Sequence, residues 1–153
     1  MKLSLRSEYA LRALVALGEN DNGEIVRIQT ISEQRNIPKR FLEQILNDLK
    51  SGGFVESRRG VAGGYRLARP PEEITLAALL RHVERALVPL PAAGVRPHRR
   101  GARVDEVQAA IGGVMQEVRA AIATVLERVT IADLCERVRK LRGESAGGVD
   151  YII

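Results

Sequence analysis

The chain of 153 residues has no tryptophan, one cysteine, two phenylalanines, three tyrosines and two histidines. The lone cysteine, Cys135, excludes an intrachain disulfide framework and a thiolate-rich metal site within one chain. No run of about 18 apolar residues stands out, so no membrane-crossing helix is expected. The N-terminal stretch MKLSLRSEYALRALVAL starts basic and turns apolar, but Arg6, Glu8 and Arg12 interrupt it. It reads as an amphipathic helix and not as a signal peptide, which gives a soluble, cytoplasmic expectation. Also missing are a nucleophile–base pair, a phosphate-binding glycine loop opening a helix and a carboxylate cluster, so no enzyme is expected.

Hydrophobic residues make up 45% of the chain, enough for a real core. There are 24 lysines and arginines against 19 acids, a net charge of +5, and the sequence pI is near 9.9. Only four of the 24 are lysine. Residues 1–70 hold 12 positive and 8 negative charges, net +4, whereas residues 71–153 hold 12 and 11, net +1. The excess charge lies in the first half and favours an anionic partner there.

Residues 3–17 place Leu3, Leu5, Tyr9, Leu11, Leu14, Val15 and Leu17 mostly on one helical face, and GENDNG at 18–23 ends it. Ile25–Ile28 reads as a short extended link and 28–35 as a short helix. Asn36-Ile37-Pro38 makes a turn, with Pro38 tolerated in the first turn of a helix over 38–51. Phe41, Leu42, Ile45, Leu46 and Leu49 give that helix a core face, and Gly52-Gly53 stop it. Phe54-Val55 and Tyr65-Arg66-Leu67 read as strands around a glycine-rich tip. Residues 74–87 form a fourth helix, opening at Thr75. Val104, Val107, Ile111, Val114, Val118, Ala121 and Val125 recur at alternating steps of three and four, a heptad series. A last helix covers 130–141.

The fold class expected is mainly α with a small β-hairpin wing: a winged helix-turn-helix domain plus a long dimerisation helix. The divisions are residues 1–87 for the winged domain, 88–103 for a loop, 104–142 for the long and C-terminal helices, and 143–153 for a tail. In this arrangement the third helix is a recognition helix that presents its N-terminal side chains to the major groove. Lys39 and Arg40 can reach phosphate or guanine, Glu43 can accept from cytosine, and Gln44 can pair with adenine, with Asn47 further along. In the wing, Arg58 and Arg59 flank glycines that let the backbone approach a phosphate or the minor groove.

The strings MKLSLRSEYALRAL, IPKRFLEQILNDLKSGGFVESRRG, GGYRLARPPEEITLAALL and VTIADL resemble the Rrf2 family of bacterial regulators. The resemblance covers nearly the whole chain and is strongest over residues 1–80. It implies a homodimeric winged-helix transcription factor, a repressor, whose long helix over about 103–127 crosses its partner's. The two recognition helices would read half-sites of a pseudo-palindromic operator in double-stranded DNA. The positions matching the family's DNA contacts are Arg40, Glu43, Gln44 and Arg59; Lys39 and Arg58 join them on charge alone.

Many relatives hold an iron–sulfur cluster through three cysteines in the loop before the long helix. Here that loop, Pro89–Arg103, has none, so no cofactor and no metal ligands are expected. Cys135 reads as a small buried residue. His98 reads as an exposed loop histidine, His82 as surface, and Glu8, near which some relatives place an extra ligand, as a helix-face carboxylate. Arg96, Arg99, Arg100 and Arg103 read as a solvated loop or as a site for a protein partner or small anionic effector. Some family members are controlled by binding a metabolic enzyme.

Overall fold

A computed structural model describes residues 2–84 and 105–147, with side chains through 143. The expected loop 88–103, with His98 and its four arginines, lies outside the described residues, as do 85–87 at the end of the expected fourth helix, Val104 and 148–153.

The first helix, α1 (Leu5–Glu19), starts where Ser4 accepts a hydrogen bond from the Ser7 N–H. Helices α2 (Ile28–Arg35) and α3 (Lys39–Ser51) follow, joined by Asn36 in the left-handed conformation at φ 52°. Ile37 N–H closes that turn onto the Ser32 carbonyl at 3.1 Å, and Ser32 Oγ donates to the Ile37 carbonyl at 2.6 Å. At the end of α3, Gly53 takes φ 75° and Phe54 N–H returns to the Leu49 carbonyl at 3.0 Å. This glycine-dependent C-terminal motif turns the chain directly into the hairpin.

Strands β1 (Val55–Arg58) and β2 (Gly64–Leu67) pair antiparallel, with Arg58 opposite Gly64. The link before α2 joins them, because Val26 and Tyr65 exchange two backbone hydrogen bonds of 2.8 Å. After a 3-10 turn at Pro71–Glu73 comes α4 (Leu76–Val83), capped by Thr75. The long helix α5 (Glu106–Arg128) is capped by Asp105, and α6 (Ile131–Gly147) by the reciprocal pair Thr130 and Asp133.

The core lies between α1, α2, α3, the wing and α4. Leu14, Leu17, Ile31, Leu42, Leu46, Leu49 and Leu79 are completely or almost completely buried. The C-terminal helix belongs to this core too: Ile131 and Cys135 are buried, and α6 packs along α1. Grouping it with the dimerisation helix therefore splits it from its packing partners. Its helix also runs to Gly147, so the expected tail from 143 is helical over its first five positions.

Two further expectations change. Phe41 is half exposed, because the buried stripe of α3 is Leu42, Ile45, Leu46 and Leu49 and Phe41 falls on its flank. His82 is not a surface residue. Its ring packs on Phe54 at 5.4 Å between centroids, and Nε2 lies 2.7 Å from the Asp48 carbonyl at the end of α3. A β-carbon on Gly52 would meet this ring at 2.8 Å, so the glycine makes room for it.

Helix α5 has no buried residue. Val107, Ile111, Val114, Val118 and Val125 are all exposed, along the expected heptad stripe. Among the described residues this is one helix long and apolar enough, by length and composition, to cross a membrane, contrary to the expectation from apolar runs. Alanines among the valines and isoleucines carry it over that threshold. Glu117 and Arg119 sit near its middle, where a charge costs about 2.5–3.5 kcal/mol in a bilayer.

Candidate nucleic-acid interface

The amphipathic division of α3 decides what it can present. With Leu42, Ile45, Leu46 and Leu49 turned inward, Lys39, Arg40, Glu43, Gln44, Asn47 and Lys50 are exposed. Arg40, Gln44 and Asn47 follow one another at helical steps of four and three on the outer face, which continues to Lys50. Pro38 supplies no side-chain cap, so the first turn of α3 is open toward its surroundings.

The wing stands beside the far end of this face. Arg58 closes the β1–β2 ladder, and Arg59 begins the tip. Both are exposed. Gly60 adopts φ 110°, and the Gly63 N–H bonds the Gly60 carbonyl at 3.0 Å. At the tip Val61 is 97% exposed. Gly64 sits so close to Val26 that a β-carbon would collide with the Val26 carbonyl. The wing is thus anchored at its base by the Val26–Tyr65 pair and narrow at its tip, a shape suited to a groove.

Two side chains that the sequence reading passed over join these parts. Arg27, just before α2, donates from Nη2 to the Val61 carbonyl at 3.4 Å. Lys50, in the last turn of α3, donates to Ser57 Oγ at 2.7 Å. Together with Asn47, Arg58 and Arg59 they line a groove of about 450 Å³ between the two helices and the wing. Charge alone could have suggested them, but only the tertiary structure brings residue 27 to residue 61.

The pairing of cations differs across the molecule. Arg6, Arg12, Arg35, Arg66, Arg81 and Arg142 each form an ion pair with a carboxylate. Among the described residues no such pair engages Arg27, Lys39, Arg40, Lys50, Arg58 or Arg59. Cations left without an internal acid on one connected surface are available to an external polyanion.

Away from that surface, Glu8 is a helix-face carboxylate paired with Arg12 four residues on, 2.5 Å away. Cys135 is 4% exposed, and its Sγ lies 3.7 Å from the Val15 carbonyl. A β-carbon on Gly18 would meet that sulfur at 2.8 Å, and burial raises the thiol pKa. The thiol is therefore packed as a small apolar group.

Near Ser4, Glu84 Oε1 accepts from the Ser7 hydroxyl at 2.6 Å and from the Ser4 N–H at 3.2 Å. The Ser7 and Ser4 hydrogen bonds hold its carboxyl below the ordinary range. This contact ties the end of α4 to the start of α1.

Comparison with known proteins assigns this architecture. Residues 3–137 match the family described as Rrf2, iron-dependent transcriptional regulator. A protein of Mycobacterium tuberculosis strain H37Rv named as an HTH-type transcriptional regulator is 36% identical over 135 residues, 88% of this chain and 81% of that one. The HTH-type transcriptional regulator IscR of Cereibacter sphaeroides is 41% identical over 86 residues, 55% of this chain and 56% of that one. The structure of CymR, the global cysteine regulator of B. subtilis, superposes with a TM-score of 0.74 at 25% identity, covering 90% of this chain and 98% of that one. Its relatives are named as regulators and not as enzymes. The chain belongs to the Rrf2 family of DNA-binding transcriptional regulators.

Proposed function

We propose that this protein is a homodimeric, sequence-specific repressor that binds a pseudo-palindromic operator without a resident iron–sulfur cluster. The observation that carries the dimer is α5. Twenty-three residues of helix stand with no buried side chain and with Val107, Ile111, Val114, Val118 and Val125 in one heptad stripe. Burying a valine or isoleucine contributes roughly 1.5–3 kcal/mol, so a stripe of five strongly favours a partner, and a second α5 supplies a matching face. Crossing two such helices gives two recognition surfaces related by a twofold axis, the symmetry of a palindrome.

On each surface, Arg40, Glu43 and Gln44 read base edges in the major groove, while Lys39 contacts phosphate. Arg59 enters the minor groove from the wing and Arg58 supports it at the backbone. The dimer represses by occupying DNA that overlaps a promoter, in the cytoplasm where that DNA is.

The family description names iron, but the donor set of this chain does not fit an iron–sulfur cluster. A cluster is held by several thiolates. The sequence offers one cysteine per chain, and that one is packed between α1 and α6. Even two chains bring only two thiols, each inside its own core. Regulation therefore proceeds without cluster chemistry.

Sedimentation of the full-length protein tests the dimer, and visible absorption with iron analysis of an anaerobically purified sample tests the missing cluster. The expected sample is colourless, iron-free and dimeric at micromolar concentration. A brown sample with stoichiometric iron, or a monomer, contradicts the reading. In the native host, removing the gene should raise expression of an operator-linked reporter; a fall would make the protein an activator.

A further inference from the structure

We propose that the groove between the start of α2, the end of α3 and the wing seats a DNA backbone phosphate, held chiefly by Arg27 and Lys50. This rests on the DNA-binding reading but concerns residues that the recognition helix and wing tip do not include. Four cations, Arg27, Lys50, Arg58 and Arg59, line the same groove. None of the four forms an ion pair with a carboxylate among the described residues, so no internal acid neutralises the groove.

The existing contacts leave capacity for a ligand. Lys50 gives one N–H to Ser57 and has two more; Arg27 makes one long bond to the Val61 carbonyl out of five donors. Their positions are also fixed from two sides, because each spans from a helix to the wing. A phosphodiester between them would be gripped by the helices and the wing together. That would lock the wing's angle at the moment DNA is bound, which places Arg59 for the minor groove.

The groove lies in line with the outer face of α3, from Arg40 through Gln44 and Asn47 to Lys50. A strand whose bases meet Gln44 has its backbone within reach of Lys50. This continuity favours the DNA backbone over a free phosphate, although the chemistry recognised is the same.

The test is fluorescence anisotropy of the full-length protein on a duplex from its own upstream region and on a scrambled duplex, at salt from 50 to 200 mM. Each of Arg27→Gln and Lys50→Gln should reduce the salt slope by about 0.9 on both duplexes. Across that fourfold range the salt-induced loss of affinity then shrinks about 3.5-fold, while the preference for one duplex over the other is kept. Ser57→Ala keeps the charge and removes only the brace, so it should retain the wild-type slope. A slope unchanged in both charge variants overturns the proposal. So does a Ser57→Ala variant that matches Lys50→Gln, which would make Lys50 a brace alone.

Titration with inorganic phosphate, followed by the side-chain NMR signal of Arg27, separates the two sources. Millimolar or weaker binding agrees with a backbone seat. Saturation at micromolar phosphate would overturn it in favour of a small-anion site. Sequence selectivity of the wild type is read separately. A wild type that binds both duplexes equally defeats the sequence-specific reading, yet still reports whether Arg27 and Lys50 meet phosphate.

Discussion

Gly64 illustrates how single residues set the interface. A β-carbon there would strike the Val26 carbonyl, and Gly63 would strike the Arg58 and Gly60 carbonyls. Backbone cannot yield as a flexible side chain can. Gly64→Ala should therefore part β2 from Val26, weaken their paired hydrogen bonds and cost about 1–3 kcal/mol. Chemical denaturation checks this; an unchanged midpoint would mean the wing is not braced at Val26. Arg59, by contrast, is exposed and forms no ion pair among the described residues. Arg59→Ala should leave stability within about 0.5 kcal/mol of wild type, while weakening DNA binding and flattening its salt dependence. Unchanged affinity in an anisotropy titration would remove Arg59 from the interface. In the core, Leu46→Ala should cost about 2–5 kcal/mol, because Leu46 is fully buried where α3 meets the other helices.

Elements were legible in the sequence wherever a local signal repeats. The apolar spacing of α1 and α3, the turn at Asn36-Ile37-Pro38 and the glycine stop at 52–53 act over a few residues, and α1, α2 and α3 formed within two positions of their expected ends, whereas α6 runs six positions past its expected end. What was not legible depends on neighbours distant in sequence. His82 looks like a surface residue beside Arg81 and Glu84, yet α3 and Phe54 close over it. Phe41 reads as core until the inward stripe of α3 is known. Likewise α6 has no sequence mark that sends it to α1; Gly18, which lets Cys135 approach, shows that only afterwards.

The join between α4 and α1 carries a pH prediction. Glu84 is held ionised by the Ser7 hydroxyl and by Ser4, so its folded pKa lies below the unfolded value of about 4.3. Its contribution is complete above that unfolded value and is lost as pH falls through the folded one. Glu84→Gln should lower stability at pH 7 by an amount on the order of 1 kcal/mol, seen as a lower Tm, and converge with wild type at strongly acidic pH. A constant Tm difference at all pH values would show that the charge is not what joins them. For α5, Val114→Glu places a like charge from each chain into the proposed seam. It should convert the dimer to a folded monomer by sedimentation and weaken binding to a two-half-site duplex; a persistent dimer would move the interface elsewhere.

At the scale of the whole molecule, charge and hydrophobicity are separated. Arg27, Lys50, Arg58 and Arg59 line one groove between α2, α3 and the wing, and the apolar stripe runs along α5. One surface suits a polyanion and the other an apolar partner, as the proposed dimer on DNA requires. With one cysteine per chain, the proposed cluster-free dimer should bind DNA without added iron. The most direct measurement is an anisotropy titration of iron-free, full-length protein against its upstream duplex and a scrambled one, at several salt concentrations. The account predicts dimeric binding that prefers the upstream duplex by about 10³-fold or more, with a salt slope of several units. Weak, equal binding to both duplexes, restored only when iron is supplied, would contradict it.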